Sequence, residues 1–195
     1  MMIEKACLEN IVIENINTAS SEFGTISANN FKLENQGEVR IEKLQATGNL
    51  EVANDGRSIL KEVSSKKIDI FNNGNLSGDK LSGSNVNLAN KGTLSFDKFT
   101  GKTVVIDSDN KININNLSSD STLKLTLGEK SSSSLTNVSA PVVEINNSGF
   151  LASDLIEARK LTANNSGKIV TGHKFEITVK DASGKEPRYY QRIAI

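Results

Sequence analysis

Between Val86 and Ile106 the apolar residues stand two apart. Val86/Leu88, Leu94/Phe96 and Val104/Ile106 alternate with polar or small residues, and Asn90-Lys91-Gly92 separates the first pair from the second. Alternation with a period of two over three to five residues, broken by a tight turn, predicts short strands that share a buried face. Helix is disfavoured by the abundance of Asn, Ser and Gly and by the missing 3.6-residue periodicity.

The pattern recurs along the chain, and repeats decide the fold. Taking Gly92 as a mark, Gly37, Gly56, Gly74, Gly128, Gly149 and Gly167 fall in one series, with Asn110 filling the remaining place. Most steps are 18 residues long. Two places before each mark stand Asn35, Asn54, Asn72, Asn90, Ser108, Thr126, Asn147 and Asn165. The apolar columns hold the same register. Six and four before the mark come Phe31/Leu33, Leu50/Val52, Ile68/Ile70, Val86/Leu88, Val104/Ile106, Val143/Ile145 and Leu161/Ala163. Two and four after it come Val39/Ile41, Leu94/Phe96 and Ile112/Ile114. Seven after it come Leu44, Val63, Leu81, Phe99, Leu117, Leu135 and Ile156.

A unit of about 18 residues holding three short strands buries a face only when the next copy stacks on it. Parallel stacking at the ~4.8 Å strand spacing gives a rod of eight to nine rungs, roughly 40 Å long. The expected fold is therefore all-β, a parallel β-helix (β-solenoid) with single-chain rungs. Only one corner per rung carries Asn-x-Gly and the three sides differ in length, which favours the right-handed form. The asparagine column is expected to form an amide ladder along the rod. The glycines are expected to supply positive φ at the turn, with Asn110 the next most tolerant residue there.

Some stretches depart from the period. "SSSSLTNVSAP", Ser131 to Pro141, carries three extra residues and reads as a bulged loop, and Leu123, Leu125 and Leu127 shift phase by one nearby. The first rung keeps Ile11, Ile13 and Asn15 with about two extra residues near Ser20 to Glu22. "MIEKACL" echoes the "RIEKLQA" of residues 40–46. Residues 1–10 thus read as a partial rung, 11–180 as the β-helix and 181–195 as a cap or tail.

The totals narrow the function classes. The chain has 195 residues, of which 36% are apolar and 5% aromatic, with no Trp. Its 23 basic residues balance 23 acidic ones, so nothing draws it electrostatically to nucleic acid or a membrane surface. A single cysteine, Cys7, excludes an intrachain disulfide and a cysteine metal cluster. No apolar run approaches a membrane span, and the start lacks a signal peptide's basic and apolar regions. On these grounds the chain is either cytoplasmic, with Met1 as its native start, or a piece of a longer exported protein.

Candidate chemistry is sparse. His173, the only histidine, has no nucleophile elbow near it and falls in the outward column of Lys43, Lys80 and Lys98, where a plain surface role suffices. Cys7 is expected to pack inside the first rung. Asp107-Ser108-Asp109 and Asp120 read as solvated turn carboxylates rather than a calcium or lyase site. Glu42-Lys43, Lys61-Glu62, Asp79-Lys80 and Asp97-Lys98 form a mixed-charge face that serves solubility, with docking as the alternative. Lys180, Lys185, Arg188, Tyr189, Tyr190 and Arg192 form a basic, aromatic tail that reads as a cap.

"VNLANKGTLSFDKFTGKTVVI" (86–106) and "LTANNSGKIVTGHKFEI" (161–177) resemble the repeats of filamentous haemagglutinin-type exoproteins, the secreted partners of bacterial two-partner secretion. The resemblance spans about residues 11–180 as a pattern. It implies a right-handed β-helical shaft, export, and adhesive or toxin-delivering roles. This chain lacks that family's signal peptide and N-terminal secretion domain. Its architecture also resembles the bactofilins, cytoskeletal β-helices with rungs of similar length. The expectation is a non-enzymatic structural or interaction protein without cofactor or metal, adhesin-like if exported. Its partner would be a protein or carbohydrate surface. The alternatives are a bactofilin-like filament stacking end to end and a polysaccharide-binding or -cleaving β-helix.

Overall fold

The computed structural model describes residues 2–179, with side chains through 170. Every regular element is a strand: β1 (Met2–Asn15), β2 (Ser20–Asn35), β3 (Glu38–Ala46), β4 (Asn49–Asn54), β5 (Arg57–Asn72) and β6 (Asn75–Asn90) come first. They are followed by β7 (Thr93–Ser108), β8 (Lys111–Leu127), β9 (Ser132–Asn147), β10 (Phe150–Asn165) and β11 (Lys168–Val179). All pairing is parallel, and each strand pairs with its neighbours in sequence, β3 and β4 together making one rung between β2 and β5. The chain is thus a parallel β-solenoid of about nine turns.

Each long strand travels nearly once round the rod and bends where the alternation fails. In β7, Leu94, Phe96, Phe99, Gly101, Val104, Ile106 and Ser108 are buried, and Asp97-Lys98 and Lys102-Thr103 both face outward as pairs. Those pairs are two of the corners; the Asn-x-Gly turn is the third. The inward columns run along the axis: Val39, Ser58, Leu76, Leu94 and Ile112 in one, with buried Ser58 its polar member, Leu44, Val63, Leu81 and Phe99 in another, Leu50, Ile68, Val86 and Val104 in a third. At about 1.5–3 kcal/mol per fully buried apolar side chain, this single core is what opposes the chain entropy of so polar a sequence. The Phe96 and Phe99 rings meet edge to face with centroids 5.8 Å apart. Phe96 fits because the residue below it is Gly78, where a Cβ would collide with its ring.

The structure relocates the irregularities. The loop expected at Ser131 to Pro141 is regular strand β9 from Ser132 onward. Its three extra residues lie upstream. One is in Ser119–Ser121, where the register slips between Ser118 and Thr122; two are in the turn between Leu127 and Ser132. The single insertion puts the following leucines in phase, so Leu127 rather than Thr126 stands over Ser108 in the asparagine column. The carbonyls of both Gly128 and Ser131 then lie beneath Gly149, and Ser132 pairs with Phe150. Leu135 moves to the Ile114 column and Val138 takes the place over Leu117. The first rung's extra residues sit in Ile16–Thr18, at the same corner, not near Ser20 to Glu22. There Asn17 has φ 45°, a conformation Asn tolerates.

The glycine column also has a different cause from the expected one. No glycine of the turns is in the left-handed region. All but Gly128 lie close on the rung beneath: a Cβ on Gly74 would fall on the carbonyl oxygen of Gly56, and one on Gly92 on that of Gly74. Close approach of two backbones, not positive φ, is what excludes a side chain.

Candidate interaction surfaces

The Asn-x-Gly corner is sealed. Asn15 Nδ2 donates to Asn35 Oδ1 (2.8 Å), Asn35 to Asn54 (2.9 Å), Asn54 to Asn72 (2.7 Å) and Asn72 to Asn90 (2.7 Å), and Asn90 ends the run on Ser108 Oγ (3.0 Å). The same amides donate to backbone carbonyls of the next rung, as Asn54 does to Asn75 O (3.1 Å) and Asn72 to Thr93 O (2.9 Å). Leu127 interrupts the run. The ladder resumes from Asn147 Nδ2 to Asn165 Oδ1 (2.8 Å), and Asn147 Oδ1 is buried without a donor. This corner holds rungs together and offers no opening.

The outer faces carry a second set of contacts between rungs. Asn73 donates to Asp55, Asn87 to Asp69 and Asn115 to Asp97, all at 2.7–2.9 Å. In the mixed-charge columns, Glu42 accepts from Arg40 Nε (2.7 Å) and pairs with Lys61 Nζ (2.7 Å), with Glu22 3.6 Å from Arg40. The hydrogen bond from Lys61, then that from Arg40, holds the Glu42 carboxyl below its usual range. Hydrogen bonds to Glu34 and Asp69 likewise raise Lys32 and Lys67. Burial pushes Asp69 up, but bonds from Asn87 and Lys67 outweigh it and leave it lowered.

The narrowest side of the rod is different in kind. It lies between the corner columns, and its outward residues are Ser64, Ser82, Thr100 and Ser118, one above the other. The inward column behind them is small: Ala46, Ser65, Gly83, Gly101 and Ser119. The corner enforces that smallness, because a Cβ on Gly101 would lie 2.8 Å from Val104 Cγ2, and one on Gly83 3.0 Å from Val86 Cγ2. The result is an open groove of about 650 Å³, walled by Lys98 on one side and by Thr47, Lys66, Ser84, Lys102 and Asp120 on the other. Each end has an extra residue. Thr47–Gly48 is the break between β3 and β4, held by Ser65 Oγ bonding Gly48 O (2.9 Å). Ser119–Ser121 is the slip in β8, held by Ser119 Oγ on Lys102 O (2.7 Å) and Thr122 O (2.9 Å). Sequence reading missed this groove, although the column of Ala, Ser and Gly nine places after each mark was its visible signal.

The residues singled out for chemistry do not converge. Cys7 is exposed, not packed inside, because it pairs with the outward Ser27, whereas Ala6 and Leu8 on either side stand in register with the inward Ile26 and Ala28. Asp107 and Asp109 are exposed on either side of buried Ser108, and Asp120 stands apart at the groove's end. His173 lies in an irregular stretch of β11: Glu176, three residues on, pairs with Leu155 and so occupies the column of Lys80 and Lys98. The tail residues Lys180, Lys185, Arg188, Tyr189, Tyr190 and Arg192 lie outside the described residues. No group of three or more potential metal ligands occurs among the described residues. Comparison with protein-family models, curated proteins and solved structures finds no match.

Proposed function

We propose that this β-solenoid is a non-enzymatic interaction scaffold, the shaft of an adhesin-like surface or secreted protein. The observation behind this reading is the division of labour between its sides. One corner is devoted to joining rungs through buried amides, and the outer faces are tied rung to rung by amide and ion pairs. Such a rod resists bending and presents whatever binds it at a fixed spacing. The resemblance of its repeats to filamentous haemagglutinin-type exoproteins supports the same assignment.

A filament of the bactofilin type is the second reading, favoured by one feature. Among the described residues β1 is paired on one side only, and Met2, Leu8, Val12 and Ile16 expose 62–74% of their surface around it. A further rung stacking on β1 would cover Leu8 and pair that edge. Electron microscopy with light scattering of the purified chain separates the two. Short monodisperse rods about 40 Å long support the shaft; long fibres one rod wide overturn it in favour of the filament.

A further inference from the structure

We infer that the groove on the narrow side binds an extended acidic polysaccharide in which every second sugar carries a carboxylate. The inference rests on the interaction-scaffold reading above and gives it a site and a ligand class. Three observations carry it.

The first is unspent charge. Lys32, Lys61 and Lys67 each have a carboxylate at 2.6–2.7 Å. Lys66, Lys98 and Lys102 line the groove, and none has an ion-pair partner among the described residues. Asp120, at one end, is the single acid among the lining residues. The groove is therefore locally cationic on a chain of zero net charge.

The second is spacing. Register places Lys66, Ser84 and Lys102 in one column on successive rungs, so the two lysines are about 10 Å apart with a hydroxyl between them. An extended pyranose chain advances by about one rung per sugar. The wall thus presents a cation, a hydroxyl and a cation to three successive sugars. A polymer charged at every unit would place the charge between the two lysines against the Ser84 hydroxyl. From Ala46 to Ser118 the groove covers four rung spacings, about 19 Å, or roughly four sugars.

The third is the floor. Ser64 and Ser118 make no side-chain hydrogen bond among the described residues, and Ser82 and Thr100 make only long ones to Val63 O (3.3 Å) and Leu81 O (3.4 Å). A row of available hydroxyls suits sugar hydroxyls. No aromatic residue lines the groove to stack a neutral sugar or a base. Strand edges along this side are already paired above and below, so a peptide cannot add as an extra strand.

The test is calorimetric titration at low salt with four probes: hyaluronan oligosaccharides (one carboxylate per two sugars), polygalacturonate (one per sugar), dextran (neutral) and single-stranded DNA. Binding is expected for hyaluronan, weakened at least tenfold by Lys66→Glu/Lys102→Glu and by Ser82→Asp on the floor. Lys91→Glu/Lys111→Glu, the same charge change at the Asn-x-Gly corner away from the groove, should leave it unaltered. Circular dichroism confirms that each variant is folded. Absence of hyaluronan binding, equal or tighter binding of polygalacturonate or DNA, or equal loss in the control variant overturns the inference. Monodisperse rods without binding would defeat the groove alone; fibres in the microscope would defeat the shaft.

Discussion

The rungs from Asn54 to Ser108 and the rungs from Ser108 to Asn147 are built from the same columns but close their corners differently. In the first stretch asparagines follow at 18 residues, each bonded to the next, with Gly56, Gly74 and Gly92 stacked flat at the turn. In the second, three added residues put Leu127 in the asparagine's place and widen the turn, so that Ser131 O accepts from Phe150 N as Gly74 O does from Thr93 N. Yet the core passes through without a gap: Leu123, Leu125 and Leu127 are as buried as Val104 and Ile106. Insertions are tolerated at corners because they are absorbed outside the pleat, whereas a residue added within a side would turn the whole apolar set outward. The core defines the rung; the corner residues set how tightly one rung is held to the next.

The largest test of that difference compares two glycines. Gly74→Ala drives a methyl into the Gly56 carbonyl, which belongs to paired backbone and cannot retreat. A loss of about 3 kcal/mol is expected. At Gly128 the new methyl would meet only the Asp109 side chain, which can swing into solvent. Gly128→Ala should stay within about 0.5 kcal/mol of the parent. Urea denaturation of both variants decides; equal losses would mean that the turn of the inserted rung is as closely stacked as the regular ones.

Asparagines come next. Asn72 donates to Asn90 and accepts from Asn54, so Asn72→Ala strands buried groups on both neighbouring rungs, at a cost of about 2–4 kcal/mol. Asn147 already lacks a donor to its Oδ1 and keeps only its downstream bonds, to Gly149 O (3.2 Å), Asn165 Oδ1 (2.8 Å) and Lys168 O (3.3 Å). Asn147→Ala should cost about half as much. Denaturation midpoints of the two variants measure the ratio, and a larger loss at Asn147 would refute the view that the ladder is broken at Leu127.

How much of this could be read from the chain follows from the same contrast. Where the period is regular the sequence specified the columns residue by residue, because a buried face every second position and an Asn-x-Gly every 18 leave one register. Around Leu127 two registers fit. Gly128 looked like the mark, and only pairing with Ser108 and Asn147 shows that one residue was added before Leu123 and two after Leu127. Cys7 was misplaced for a similar reason: "ACL" offers two apolar residues for the inward places and one for the outside. The groove was not read because it depends on a lack of bulk. A column of Ala, Ser and Gly carries no apolar signal, and its meaning appears only when the corner valines are seen to crowd it.

The smallest effect concerns charge, where the early and late rungs also part. The ion pairs among the described residues lie between Glu22 and Asp69; later rungs join their faces through amides such as Asn115 to Asp97. Glu42, held by Lys61 and then Arg40, titrates below its ordinary value in the folded protein. A carboxyl with a depressed folded pKa stabilises the fold above its unfolded value of about 4.3 and loses that contribution as pH falls through the folded value. Exposure keeps the effect small. Lys61→Met should therefore be slightly less stable than the parent at pH 7, with the difference closing as pH falls below about 4. Lys124→Met, on a late rung without an ion pair, should show no such convergence. Denaturation midpoints for the three proteins between pH 3 and 7 give the result, and a Lys61→Met difference that stays constant with pH would show that the early rungs gain nothing from this pair.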